Sequence, residues 1–91
     1  MDAKAKKALK ARAHALKPRL ILGNAGTTPE WFAALEIELE AAELIKVRLP
    51  VIDRNERGAV ATAIAEHSGA AIVGTIGMIV ILFRRRQETK S

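Results

Sequence analysis

At 91 residues, with a formal charge of +5 and no cysteine, the chain has material for one thin-cored domain and excludes both a disulfide framework and a thiolate metal site. Its basic start, Met1 to Lys7, is not followed by the apolar run of a secretory signal. Its longest uncharged run, Ser68 to Phe83, falls short of the roughly 18 to 20 residues that span a bilayer. The expectation is a single cytoplasmic domain over 1–91, with flexible ends at 1–3 and 86–91, and no membrane partner, small-molecule substrate or cofactor.

Ala3 to Leu16 reads as a helix, because Ala5, Leu9, Ala13 and Leu16 recur at three- and four-residue spacing. Lys6, Lys10 and His14 line up beside that stripe, with Lys7 and Lys17 close by. They form either a ridge for a nucleic-acid backbone or an ordinary solvated face. Pro18 ends the helix, and Arg19 to Leu22 follows as a short strand.

The chain then passes through Gly23-Asn24-Ala25-Gly26 into Thr27-Thr28-Pro29-Glu30. Either threonine can cap a helix: Pro29 fits the first helical position after Thr28, and Glu30 stands at capping-box spacing from Thr27. Glycines permit backbone angles that turn free amides towards the positive end of that helix, a recipe for holding a phosphate. The same residues also suit a strand-to-helix turn without a ligand.

The second helix runs from about Pro29 to Glu43 on a buried stripe of Phe32, Leu35, Leu39 and Ala42. It is acidic throughout. Glu36 and Glu40 repel across one turn, which calls for a basic neighbour or open solvent. Trp31, in the first turn, either stacks on a base or packs over the entering chain. From Leu44 to Ile52, Ile45, Val47 and Leu49 alternate with Lys46 and Arg48, giving a strand with one wet, basic face; Pro50 removes a ladder donor.

Asp53 or Asn55 caps a third helix, in which Val60, Ala63, Ile64 and His67 share the inner side and Gly69 is the stop. Ala71 to Ile76 and Ile79 to Phe83 form a hairpin about Gly77-Met78. Both strands are apolar at successive positions, so both faces need cover, the second from helix one. Right-handed crossovers make the first three strands parallel and the last antiparallel.

Four motifs in order, His14-Ala15-Leu16-Lys17-Pro18, Leu22-Gly23-Asn24-Ala25-Gly26 with Thr28, Glu43-Leu44-Ile45-Lys46-Val47-Arg48, and Gly77 with Val80-Ile81-Leu82-Phe83-Arg84, resemble the YhbY-like family. This is the stand-alone form of the chloroplast RNA splicing and ribosome maturation (CRM) domain. The resemblance implies a compact α/β domain of order α-β-α-β-α-β-β, similar to the C-terminal domain of translation initiation factor three, with the last strand between strands two and three of a four-stranded mixed sheet. It also implies RNA binding and association with precursors of the large ribosomal subunit. Its glycine-x-x-glycine loop is compared with the backbone-clamping loop of KH domains. Relatives often carry a basic residue inside that loop, where this chain has Asn24 and Ala25, and commonly place Lys or Gly, then Thr, after the hairpin glycine, where it has Met78 and Ile79.

With the resemblance, the expected RNA contacts are Gly23, Asn24, Ala25, Gly26, Thr27 and Thr28 for shape and amides, with charge from Lys6, Lys10, His14, Lys17, Arg19, Lys46 and Arg84. A second reading docks the acidic second helix on a ribosomal protein or assembly factor. Catalysis is not expected: His14 and His67 sit on different helices and no serine lies in a nucleophile elbow.

Overall fold

The computed structural model describes residues 2–85; the segment 86–91, with Arg86 and Lys90, lies outside the described residues, as does Met1. The elements are α1 (Ala3–Ala13), β1 (Leu20–Ile21), α2 (Pro29–Ala42), β2 (Leu44–Arg48), α3 (Arg54–Ser68), β3 (Ala71–Ile76) and β4 (Ile79–Phe83). Each helix starts on a side-chain cap that satisfies an otherwise orphaned amide. Asp2 accepts from Ala5 N–H at 2.7 Å, Thr28 from Trp31 N–H at 3.1 Å and Asp53 from Glu56 N–H at 2.8 Å. Of the two threonines, Thr28 is therefore the cap, with Pro29 at the first position. Asp2 and Ala3 belong to the start of α1.

Several boundaries fall inside the expected ones. Helix α1 stops at Ala13 rather than Leu16, and the Leu16 carbonyl, released from helical bonding, accepts from Lys46 Nζ at 3.0 Å. Strand β2 stops at Arg48 rather than Ile52: Leu49 N–H still donates to Met78 O at 2.7 Å, but Pro50 has no N–H to continue. Helix α2 ends where Glu43 takes a φ of 63°, and α3 ends at Gly69 with φ 73°, a left-handed stop that glycine adopts readily.

The sheet order is β1-β2-β4-β3. Strands β1 and β2 are parallel, and β4 is antiparallel to both β2 and β3, so the last strand lies inside the sheet. Its successive apolar residues serve two cores. Val80 and Leu82 join Leu35, Leu39, Ile45, Val47 and Ile64 beneath α2 and α3. Ile81 joins Leu9, Ala13, Leu44 and Val73 beneath α1. Helix one thus covers the second face, but only Leu9 and Ala13 of its expected stripe are buried. In α3, Ala61 rather than Ala63 is buried with Ile64, and His67 is exposed, its ring stacked on Phe32 at 3.7 Å and 21°.

The expected wet face of β2 is corrected by α1. Only Arg48 is exposed; Lys46 retains 8 % of its surface. The buried Lys46 side chain satisfies its ammonium by donating to Leu16 O just past the end of α1.

Candidate nucleic-acid interface

The turn after β1 is built from its own backbone. Gly26 N–H donates to Gly23 O at 3.1 Å and Thr28 N–H to Gly26 O at 3.0 Å, while Gly26 holds a φ of 78°. Two loop amides are therefore spent internally. No hydrogen bond within the described residues uses the amides of Asn24, Ala25 or Thr27, and all three residues are exposed. They stand immediately before the first turn of α2, where the helix dipole favours negative charge. The backbone can thus offer donors to an anion although Asn24 and Ala25 bring no charge.

Trp31 anchors the loop from behind. Its indole N–H donates to Ile21 O at 3.1 Å, and its ring meets Phe32 edge-on at 5.5 Å. Of its two readings, packing over the entering chain is the one observed. Beside it lies a cleft of about 620 Å³ lined by Thr27, Pro29, Phe32, Ala33, Glu36, His67 and Ser68.

The expected cations divide between the two faces of the sheet. Lys6, Lys10, His14 and Lys17 are exposed on or just after α1, and no acidic residue stands in the first turn of that helix. Lys10 lies across Gly74 of β3, so a Cβ at 74 would overlap its Cε. Arg19 goes elsewhere, its Nε on Glu38 Oε1 of α2 at 2.7 Å. Arg84 is drawn in further and keeps 16 % of its side-chain surface. One guanidinium nitrogen binds Glu36 at 2.7 Å and the Ser68 carbonyl at 2.9 Å, and the other binds Glu40 at 3.0 Å. Here is the basic neighbour that the Glu36/Glu40 repulsion called for.

Three arginines absent from the expected contacts lie near the loop's end of the sheet: Arg48 at the end of β2, and Arg54 and Arg57 in the first turn of α3. Arg57 Nη1 lies 3.1 Å from Met78 Sδ at the hairpin tip, over a cavity of about 190 Å³ lined with Arg54, Thr75, Gly77 and Val80. None of the three is in an ion pair with a described carboxylate. Arg48 was legible as the exposed partner of Lys46 in the alternation; that it alone stays wet depends on where α1 crosses.

A mixed four-stranded sheet, covered by one basic helix on one side and two helices on the other, and presenting a glycine-flanked turn at its edge strand, defines a compact α/β domain. The chain belongs to the CRS1/YhbY (CRM) domain family, whose model matches residues 1–84. It is 39% identical over 90 residues to an "RNA-binding protein" of Haemophilus influenzae, covering 99% of this chain and 91% of the relative. With "Probable RNA-binding protein YqeI" of Bacillus subtilis it shares 31% identity over 90 residues, or 99% and 94% of the two chains. A Staphylococcus aureus protein solved in solution, and described there as a candidate for RNA binding, superposes with a TM-score of 0.84 at 26% identity, over 99% of this chain and 94% of that one.

Proposed function

We propose that this protein is a non-catalytic, cytoplasmic RNA-binding protein that associates with pre-ribosomal large-subunit particles and assists their assembly by holding the rRNA backbone. The observation that carries the reading is the Gly23–Gly26 turn, which leaves the Asn24, Ala25 and Thr27 amides unspent at the start of α2. The family supports it, as do relatives named for RNA binding. In this reading the loop amides fix the register of a phosphate and the cations around α1 supply sequence-independent attraction.

Docking through the acidic α2 is the weaker alternative. Of the Glu36, Glu40 and Glu43 carboxylates that would meet a basic partner, Glu36 and Glu40 are engaged by Arg84 within the molecule.

Titrating binding to large-subunit rRNA against salt tests the proposal. Log affinity should fall linearly with log salt, by about 0.7 to 0.9 for each phosphate neutralised, and the protein should co-sediment with large-subunit precursors. An affinity that stays flat from low to moderate salt would remove the phosphate-contact model.

A further inference from the structure

The sheet register aligns Ile21, Arg48, Ile79 and Ile76 in one row, one residue from each of the four strands. Residues directly opposite across a ladder project to the same face. Alternation says which face: Leu22, Val47 and Val80 are buried beneath α2 and α3 with Leu20 packed against them, so their neighbours Ile21, Arg48 and Ile79 point to the α1 side. Helix α1 does not reach this row. It lies over the next rows on that side, where Lys10 crosses Gly74, Lys46 is covered, and Leu9 and Ala13 meet Leu44, Val73 and Ile81. The row is open at its ends, with Ile21 65% and Ile76 51% exposed, and between them Arg48 is exposed and Ile79 half-buried.

Single apolar residues on a surface need no explanation; three isoleucines aligned across a whole sheet with an arginine among them form a surface. It is continuous with the loop, since Ile21 stands two residues before Gly23. It is also bordered by cations, Arg48 within it and Lys10 two positions along β3 from Ile76.

We propose that this row receives the bases of unpaired RNA nucleotides whose phosphates are held by the loop, so that the ligand is a single-stranded segment rather than a duplex. The inference rests on the RNA-binding reading above and goes beyond it. A double helix presents phosphates and sugars and keeps its base faces stacked inside; against it the isoleucines would stay wet or lose water with no gain. Unstacked bases have broad faces that can cover the isoleucines, and a planar guanidinium such as that of Arg48 can lie against a base or meet its edge. Four strands at about 4.8 Å spacing make a row of roughly 14 Å, comparable with the sheet platforms on which other domains hold two or three bases. With isoleucine in place of aromatic rings, the contact is tolerant of sequence.

The test is fluorescence anisotropy of the full chain with an unstructured RNA oligonucleotide and with the duplex of the same sequence. Three proteins are compared: the unaltered one, the double variant Ile21→Ser/Ile76→Ser, and Gly26→Asp. Single-stranded RNA should bind more tightly than duplex to the unaltered protein. The double variant should lose roughly tenfold on the single strand and little on the duplex, with its thermal melt unchanged because both side chains are exposed. Gly26→Asp should weaken both. If the double variant does not fold, Ile76→Ser alone should show the same selective loss at smaller size. Equal or tighter duplex binding, or an unchanged single-strand affinity in the folded variants, overturns the inference and leaves the RNA-binding reading standing. A change in sedimentation without a change in RNA affinity also overturns it, assigning the row to contacts between copies. Failure of the unaltered protein to bind either RNA would remove the underlying reading as well.

Discussion

On the α1 side of the sheet, Lys6, Lys10, Lys17 and Arg48 form no ion pair with a described carboxylate, whereas on the α2 side the two arginines that reach over, Arg19 and Arg84, are held by Glu38, Glu36 and Glu40. Both sets count equally towards the net charge of +5. A cation already paired at 2.7 Å to 3.0 Å offers little field to a phosphate. One that faces solvent outside any ion pair keeps more of its field at short range. The exposed lysines of α1 and Arg48 thus share a face with the open isoleucine row, while Arg54 and Arg57 add charge unpaired with any described carboxylate at the start of α3.

Removing the charge of the α1 side is expected to have the largest effect. Replacing Lys4, Lys6, Lys7 and Lys10 with glutamine, which is nearly as good a helix former, should lower RNA affinity by about a hundredfold. It should also reduce the salt slope by about 3, read from binding isotherms at several salt concentrations. Gly26→Asp comes next, with about a tenfold loss of affinity from a carboxylate beside the loop amides and about 1 kcal/mol of stability from a side chain at positive φ. Gly23→Ala is its control: that position has no positive φ and open space around its Cβ, so melting temperature should barely move.

On the opposite face the comparison predicts stability without affinity. Arg84→Gln should cost about 1 kcal/mol in chemical denaturation, because Glu36 and Glu40 lose the charge between them, while RNA affinity stays within about twofold. A tenfold fall in affinity would break the contrast and return Arg84 to the contact surface. The smallest change is expected of Lys46→Met, within about 1 kcal/mol by the same measurement, since it keeps most of the buried stem and replaces a single bond to Leu16 O.

Much of this was legible in the chain. The Thr27-Thr28-Pro29 run, the Asp53/Asn55 pair and Gly69 marked their helix ends to within a residue or two, with the structure choosing Thr28 and Asp53 as the caps. Ala71–Ile76 and Ile79–Phe83 were readable to the residue because a glycine turn separates two apolar runs. The doubly apolar hairpin also foretold cover on both faces. The fate of individual cations was not legible. Lys46 and Arg48 are equivalent by alternation, and only the end of α1 at Ala13 buries one and spares the other. Arg84 looks like its basic neighbours until β4 delivers it to the Glu36/Glu40 turn. The cross-sheet row was hidden for a related reason: Ile21, Arg48, Ile76 and Ile79 are scattered in sequence and meet only through the register.

The position of β4 has a further consequence, for folding. Strands β2 and β3 have no partner in each other; each pairs with β4, the last strand to appear in the chain. Until 79–83 is in place, the sheet cannot propagate past β2, and neither hydrophobic core can close, since Val80 and Leu82 complete one and Ile81 the other. The β3–β4 hairpin is local, but the β2–β4 pairing is long-range and slow to form. The cross-sheet row follows the same schedule, because Ile79 joins Arg48 to Ile76. A growing chain thus carries its exposed lysines early, while the row across the sheet is complete only once the final strand inserts.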